Sequence, residues 1–264
     1  MIKNIGFVLL LAIIALAGCN SNTDEKDVTS SPEKELRDRA LKYPDSLLLK
    51  ENLIQYFRDN SNYAQAITET ENALKKDSLN DRLWDIKATL YFEKSDTLQA
   101  IESFEKAINL NPKEEYIISL GSLYAQTKNP RALSLADGLL QAPSGKAQRE
   151  AIFIKGLYYS YSGDKLKAIS FFDQCLLLNF RDVLAYREKA ICLYDLGRYA
   201  EALAALEKAI SVQTTFDEGY YWMGRCYQKL NKNKEAIASY QQALQIDPDY
   251  MEAKDALGKM GIKQ

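Results

Sequence analysis

The stretch "ALAALEKAI", Ala202 to Ile210, alternates small and larger apolar residues, with Leu203, Leu206 and Ile210 among Ala202, Ala205 and Ala209. Steps of three and four residues place such a set on one face of an α-helix. The small residues of that face recur along the chain. Ala66, Ala100, Ala168, Ala202 and Ala236 stand in one register of 34 residues, with Ser134 in the sixth place. Seven residues after each come Ala73, Ala107, Cys175, Ala209 and Ala243, with Gln141 as the exception. Twelve residues before lies a column of Ala88, Ser122, Gly156, Ala190, Gly224 and Gly258, with Ile54 as its outlier. Aromatic residues keep the same period: Trp84, Tyr186 and Tyr220; Phe57, Tyr91, Tyr159 and Tyr227; Phe104, Phe172 and Tyr240. Small residues let two helices approach closely, and large ones fill the space beside each crossing.

These columns resemble the tetratricopeptide repeat, a helix pair of 34 residues with Trp, Leu-Gly, Tyr, Ala, Phe, Ala and Pro at set places. The resemblance implies an all-α fold, a right-handed superhelical solenoid of about six helix pairs. Starting at Leu47, the units run 47–80, 81–114, 115–148, 149–182, 183–216 and 217–250. Pro112 and Pro248 end helices where a new unit opens. The third unit departs from the pattern: Gly121 and Tyr124 come one place early, and Gly138, Pro143 and Gly145 interrupt its second half. It is expected to keep its helix pair and to bend or loosen the stack. Residues 33–43, within an N-terminal cap of 33–46, read as a leading helix. The C-terminal cap, 251–264, carries a trailing one, because exposed ends of such stacks need covers.

Ahead of the repeats, "MIKNIGFVLLLAIIALAGC" has Lys3 near its start and an apolar run from Ile5 to Ala17. That run is short of the roughly 20 residues a membrane span needs and suits an export signal. Leu16-Ala17-Gly18-Cys19 resembles a bacterial lipobox. The resemblance implies removal of residues 1–18 and lipidation of Cys19; an uncleaved helix with an incidental cysteine is the other reading. Residues 19–32 are then a polar tether reaching about 20 Å on average. In enterobacterial lipoproteins an aspartate directly after the cysteine retains the protein at the inner membrane, so Asn20 favours the outer membrane. Asp24, Glu25 and Asp27 resemble the surface-export tags of Bacteroidota lipoproteins, and equally an ordinary solvated tether. Either the periplasmic face or the cell surface is open.

Composition narrows the chemistry. The chain has 264 residues, no histidine, and 34 basic against 36 acidic residues, a net charge of −2. Ser-His-Asp and Cys-His pairs and histidine metal sites are excluded, and no glycine-rich phosphate loop is present. Near-neutral charge gives no reason to expect nucleic acid as a partner. No cofactor or metal is expected. Cys175 sits in an alanine column and reads as packing. Cys192 and Cys226 occupy equivalent places in adjacent units, where helix axes about 8–10 Å apart argue against a disulfide.

The resemblance also implies that the first helix of each unit lines a groove. Its groove places hold Glu51, Asp59, Asp85 and Glu93 toward the N-terminus; then Phe153, Leu157 and Ile191; then Tyr161, Arg187, Tyr194, Tyr221, Arg225 and Lys229. Arg187 and Arg225 could instead pair with Glu218 and Glu188. Tyr159, Tyr186, Tyr220, Tyr227 and Tyr240 are expected in the core. Adaptors for chaperone tails grip a carboxylate with lysines and asparagines, and those places hold Glu51, Gln55 and Ile86 here. The reading is a membrane-anchored, non-enzymatic scaffold that binds an extended peptide or partner helix of other envelope proteins. The alternatives are a surface receptor for a ligand or glycan using Tyr194, Tyr221 and Arg225, and a carboxylate-only hydrolase for which no pair of acids stands out. The oligomeric state is open.

Overall fold

The computed structural model describes residues 31–142 and 145–262. The lipobox with Cys19, the signal, the tether as far as residue 30, and Pro143 lie outside the described residues. Those residues fall into two compact units, divided within one helix between Ser103 and Phe104. Among them are fourteen helices and no strand.

The first unit holds α1 (Pro32–Lys42), α2 (Leu47–Asp59), α3 (Tyr63–Lys76), α4 (Asp81–Glu93) and the start of α5 (Thr97–Leu110). In the second, α5 ends and α6 (Glu114–Gln126), α7 (Arg131–Gln141), α8 (Gln148–Ser162), α9 (Lys165–Leu178) and α10 (Val183–Asp195) follow. It closes with α11 (Tyr199–Val212), α12 (Asp217–Lys229), α13 (Asn233–Ile246) and α14 (Met251–Lys259). Helix starts at Leu47, Asp81, Val183, Asp217 and Met251 agree with the repeat boundaries read from the period. Short polar side chains set several of these starts. Ser46, Asn80 and Asp182 accept hydrogen bonds from the backbone N–H of Leu49, Leu83 and Ala185, satisfying donors the helix itself cannot pair.

The columns of small residues lie in the interior. Ala66, Ala100, Ala168, Ala202 and Ala236 are fully buried, as are Ala107, Cys175, Ala209 and Ala243. Gly156 of α8 and Gly224 of α12 each face a ring of the second helix of their own pair. A Cβ on Gly156 would stand 2.6 Å from Phe172, and one on Gly224 would stand 2.5 Å from Tyr240. Tyr240 is completely buried, and its hydroxyl donates to Gln228 at 2.6 Å. Tyr159, Tyr186, Tyr220 and Tyr227 are only partly buried; Tyr186 and Tyr227 flank the cluster of Leu193 and Leu206.

The third unit departs from the strict register. Gly121, one place early as its sequence indicates, is the buried small residue of α6 in place of Ser122, and a Cβ there would meet Ile154 of α8 at 2.9 Å. In α7, Ala132 and Leu139 are buried where Ser134 and Gln141 stand in the strict register, a shift of two places. Ala136 then takes the place held by Phe104, Phe172 and Tyr240 in other units, so Ile154 from the next pair fills the space a ring would occupy. Gly138 does not interrupt α7, which continues to Gln141; it is exposed, with open space about it. The helix pair is kept, and α6, α7 and α8 each pack on the other two.

Candidate functional site

The second unit presents most of the candidate groove residues on α8, α10 and α12. Arg187, on α10, donates through Nε and Nη2 to Glu188 at 3.0 and 2.7 Å, and through Nη1 to Glu218 of α12. Burial opposes its charge, but Glu188 and Glu218 outweigh burial and hold the guanidinium firmly protonated. Its charge is therefore spent within the protein.

Arg225, one repeat along, has a different environment. Its guanidinium carbon lies 4.4 Å from the ring centre of Trp222, 4.7 Å from that of Tyr194 and 6.0 Å from that of Tyr221. Nη2 donates a long hydrogen bond of 3.4 Å to the Tyr194 hydroxyl. The rings brace one another: Tyr194 is 5.5 Å from Trp222, and Tyr221 is 5.9 Å from Trp222 and 5.2 Å from Tyr250. A cation over aromatic faces is held at about 0.5–2 kcal/mol, depending on how far it is desolvated. Burial raises the pKa of the Tyr221 hydroxyl, with Arg225 partly offsetting it. Lys229 is exposed one helical turn beyond Arg225, and Tyr161 is exposed at the end of α8.

Other candidates are not open surface. Leu157 is only 7% exposed and belongs to the packed interior, because α8 turns that face toward its neighbours. Phe153 is half-buried, with its ring 5.5 Å from that of Phe172. Ile191 is half-buried on α10. The expected pairing of Arg225 with a glutamate is not made; both Glu188 and Glu218 go to Arg187. Trp222, Tyr199 and Tyr250 enter the site although the groove pattern does not include them. Trp222 was legible as the aromatic three residues before Arg225 on one helix, whereas Tyr250 arrives from the turn before α14.

In the first unit two of the four acidic groove places, Glu51 and Glu93, meet arginines. Glu93 receives Arg58, and Gln55 donates to Asp59 at 2.6 Å. Arg82 Nη2 donates to Glu51 Oε2 at 2.9 Å, and Nε approaches Oε1 at 2.7 Å, off the line of a hydrogen bond. Glu51, Gln55, Arg58 and Arg82 line an open depression of about 400 Å³ with Leu48, Asp85, Ile86 and Thr89. Cys175, Cys192 and Cys226 are free, fully buried thiols. Burial pushes Cys175 and Cys226 up to about 12, so neither is a nucleophile near neutral pH. Among the described residues no helix is long and apolar enough to cross a membrane.

Comparison with known proteins agrees with the repeat architecture. Residues 81–114 and 218–250 match family models described as Tetratricopeptide repeat, and residues 192–231 match one described as TPR repeat. Residues 125–209 match a model described as Anaphase-promoting complex, cyclosome, subunit 3. A crystal structure of a tetratricopeptide repeat protein from Parabacteroides merdae is similar over 87% of this chain and 91% of its own, with a TM-score of 0.75 and 21% identity. The structure of PilW, described as a widely conserved type IV pilus biogenesis factor, is similar over 79% of this chain and 97% of its own, with a TM-score of 0.62 and 21% identity. Among curated relatives, an Hsp70-Hsp90 organizing protein of Triticum aestivum is 25% identical over 74% of this chain and 30% of its own length. Hsp70-Hsp90 organizing protein 3 of Arabidopsis thaliana is 32% identical over 60% of this chain and 27% of its own. The chain spans about a third of the length of the curated relatives it matches. The chain thus carries tetratricopeptide repeats and has an all-α fold of that class.

Proposed function

We propose that this chain is a non-enzymatic scaffold that seats an extended peptide or a partner helix of another protein against α8, α10 and α12. The observation that carries the reading is the Arg225 site: a cation on three rings, in a repeat whose general use is display of a binding surface. Tyrosine, tryptophan and arginine are the side chains most often found where a few residues carry an interface. The lipobox-like Leu16-Ala17-Gly18-Cys19, with Asn20 after it, supports anchorage in the outer membrane, where the partners are other envelope proteins. Lipid chains on Cys19 would keep the repeats close to the bilayer.

The relatives named as chaperone organizers suggest a different partner, but the places of a carboxylate clamp hold Glu51, Gln55 and Ile86, and Glu51 is bridged by Arg82. Crosslinking in intact cells, followed by affinity capture and mass spectrometry, tests the scaffold reading. A defined set of envelope proteins should appear and be lost on the double change Tyr221→Ala, Arg225→Ala. The same set surviving the change places binding on another surface. For the anchor, Cys19→Ala should move the protein from the membrane to the soluble fraction; unchanged fractionation counts against lipidation. The rings of Tyr221, Trp222 and Tyr250 favour a second reading, a surface glycan receptor. Glycan-array binding that disappears with Tyr221→Ala would select it.

A further inference from the structure

We infer that Arg225 is the receptor for a side-chain carboxylate, so that the partner segment presents an aspartate or glutamate to this face; the inference rests on the scaffold reading above. The second unit contains six arginines. Arg131, Arg149, Arg187 and Arg198 each meet a carboxylate of the protein, and Arg181 is exposed to solvent. Arg225 alone among them is half-buried with no acid against it among the described residues. It lies beside the rings of Trp222 and Tyr194, which stand edge to face with one another, and its N–H groups meet two neutral acceptors, the hydroxyl of Tyr194 at 3.4 Å and that of Tyr221.

A guanidinium carries five N–H donors in a planar fork, and the donors that the two phenol hydroxyls leave over match the two oxygens of a carboxylate. Ordering and partial desolvation of the side chain are already complete in the free protein, which removes two of the costs an incoming acid would otherwise face. Charge points the same way. Arg187 is cancelled by Glu188 and Glu218, whereas Arg225 and the exposed Lys229 one turn on leave the face locally positive. A neutral glycan would leave this cation as it is; a carboxylate would complete it.

The test is selection of the full chain against two libraries of random dodecapeptides, one amidated at the C-terminus and one with free carboxylates. Enrichment of aspartate or glutamate in the amidated library, lost with Arg225→Gln and kept with Arg181→Gln, is the expected result. Binding of a selected peptide, read from Trp222 emission in a Trp84→Phe background, should weaken about tenfold or more with Arg225→Gln and fall with added salt. Arg225→Lys should restore part of it. Enrichment only among free C-termini overturns the side-chain assignment. Peptides selected without an acid, or unaffected by Arg225→Gln, overturn the inference and leave the scaffold reading standing. No peptide selected from either library overturns both.

Discussion

One carbon atom is enough to disturb the helix crossings. Gly224 faces the edge of Tyr240, which is fully buried and tied to Gln228, so the ring cannot swing away cheaply. Gly224→Ala should cost about 1–3 kcal/mol by overpacking, and Ala202→Trp at least as much. Urea denaturation measures both, and wild-type stability in either variant would contradict the packing described. The buried thiols make a second prediction. Cys175 and Cys226 are raised from about 9 to about 12, so between those pH values the unfolded chain releases protons that the folded chain keeps. Stability is therefore intact below pH 9 and falls as pH rises toward 12, by at most about 1.4 kcal/mol per unit for each thiol. Burial of the Tyr240 and Tyr250 hydroxyls acts in the same direction. Replacing both cysteines with alanine should make the alkaline decline in melting temperature shallower; identical slopes would remove the thiols as its cause. Cys175 was readable as packing because it stands in an alanine column. The isolation of Arg225 was not, since which glutamate reaches which arginine depends on side chains 31 residues apart.

Within each helix pair the turn carries its own periodic signal. Ser61, Ser95, Gly163, Gly197 and Asn231 adopt positive φ at intervals of 34 residues, and Lys128 does so one place early, in step with α6. A residue with a Cβ is strained in that conformation by roughly 1–2 kcal/mol, whereas glycine is not. Ser95→Gly should stabilise the chain by about 1 kcal/mol, and Gly163→Ala should destabilise it by a similar amount. Thermal melts of the two variants shifting in the same direction would refute the argument. The turn is marked in the sequence only by Gly163 and Gly197, 34 residues apart, and serine and asparagine at the equivalent places hide its full extent. The third pair shows the opposite limit. Its α7 is offset by two places, which strict periodicity reads as a broken column, yet Ala132, Ala136 and Leu139 restore a buried face at the same spacing. The helix tolerates Gly138 because that residue points to open space and interrupts no packing.

The C-terminal end of the second unit is closed by α14. Ala253 and Leu257 are buried against Tyr240 and Ala243, while Gly258, in register with Gly224, faces no ring and is exposed. Deleting residues 251–264 should expose that cluster, costing about 3 kcal/mol for Leu257 and its neighbours and promoting aggregation. Circular dichroism melting together with light scattering would measure it; an unchanged melt and a monodisperse product would show that α14 is not a cover. Outside the third unit, the helix starts at Leu47, Asp81, Val183, Asp217 and Met251 and the buried small-residue columns were readable in the sequence, because a 34-residue period in apolar side chains marks the faces to be buried. The proposed lipid anchor at Cys19 rests on the sequence motif Leu16-Ala17-Gly18-Cys19. Only the tertiary structure decided which groove residues remain available: Leu157 is buried, Arg187 is cancelled by Glu188 and Glu218, and Arg225 is left on the rings of Tyr194 and Trp222. Periodicity reports which face of a helix is apolar. How charges on two packed helices pair depends on their approach in space, which no pattern along one chain records.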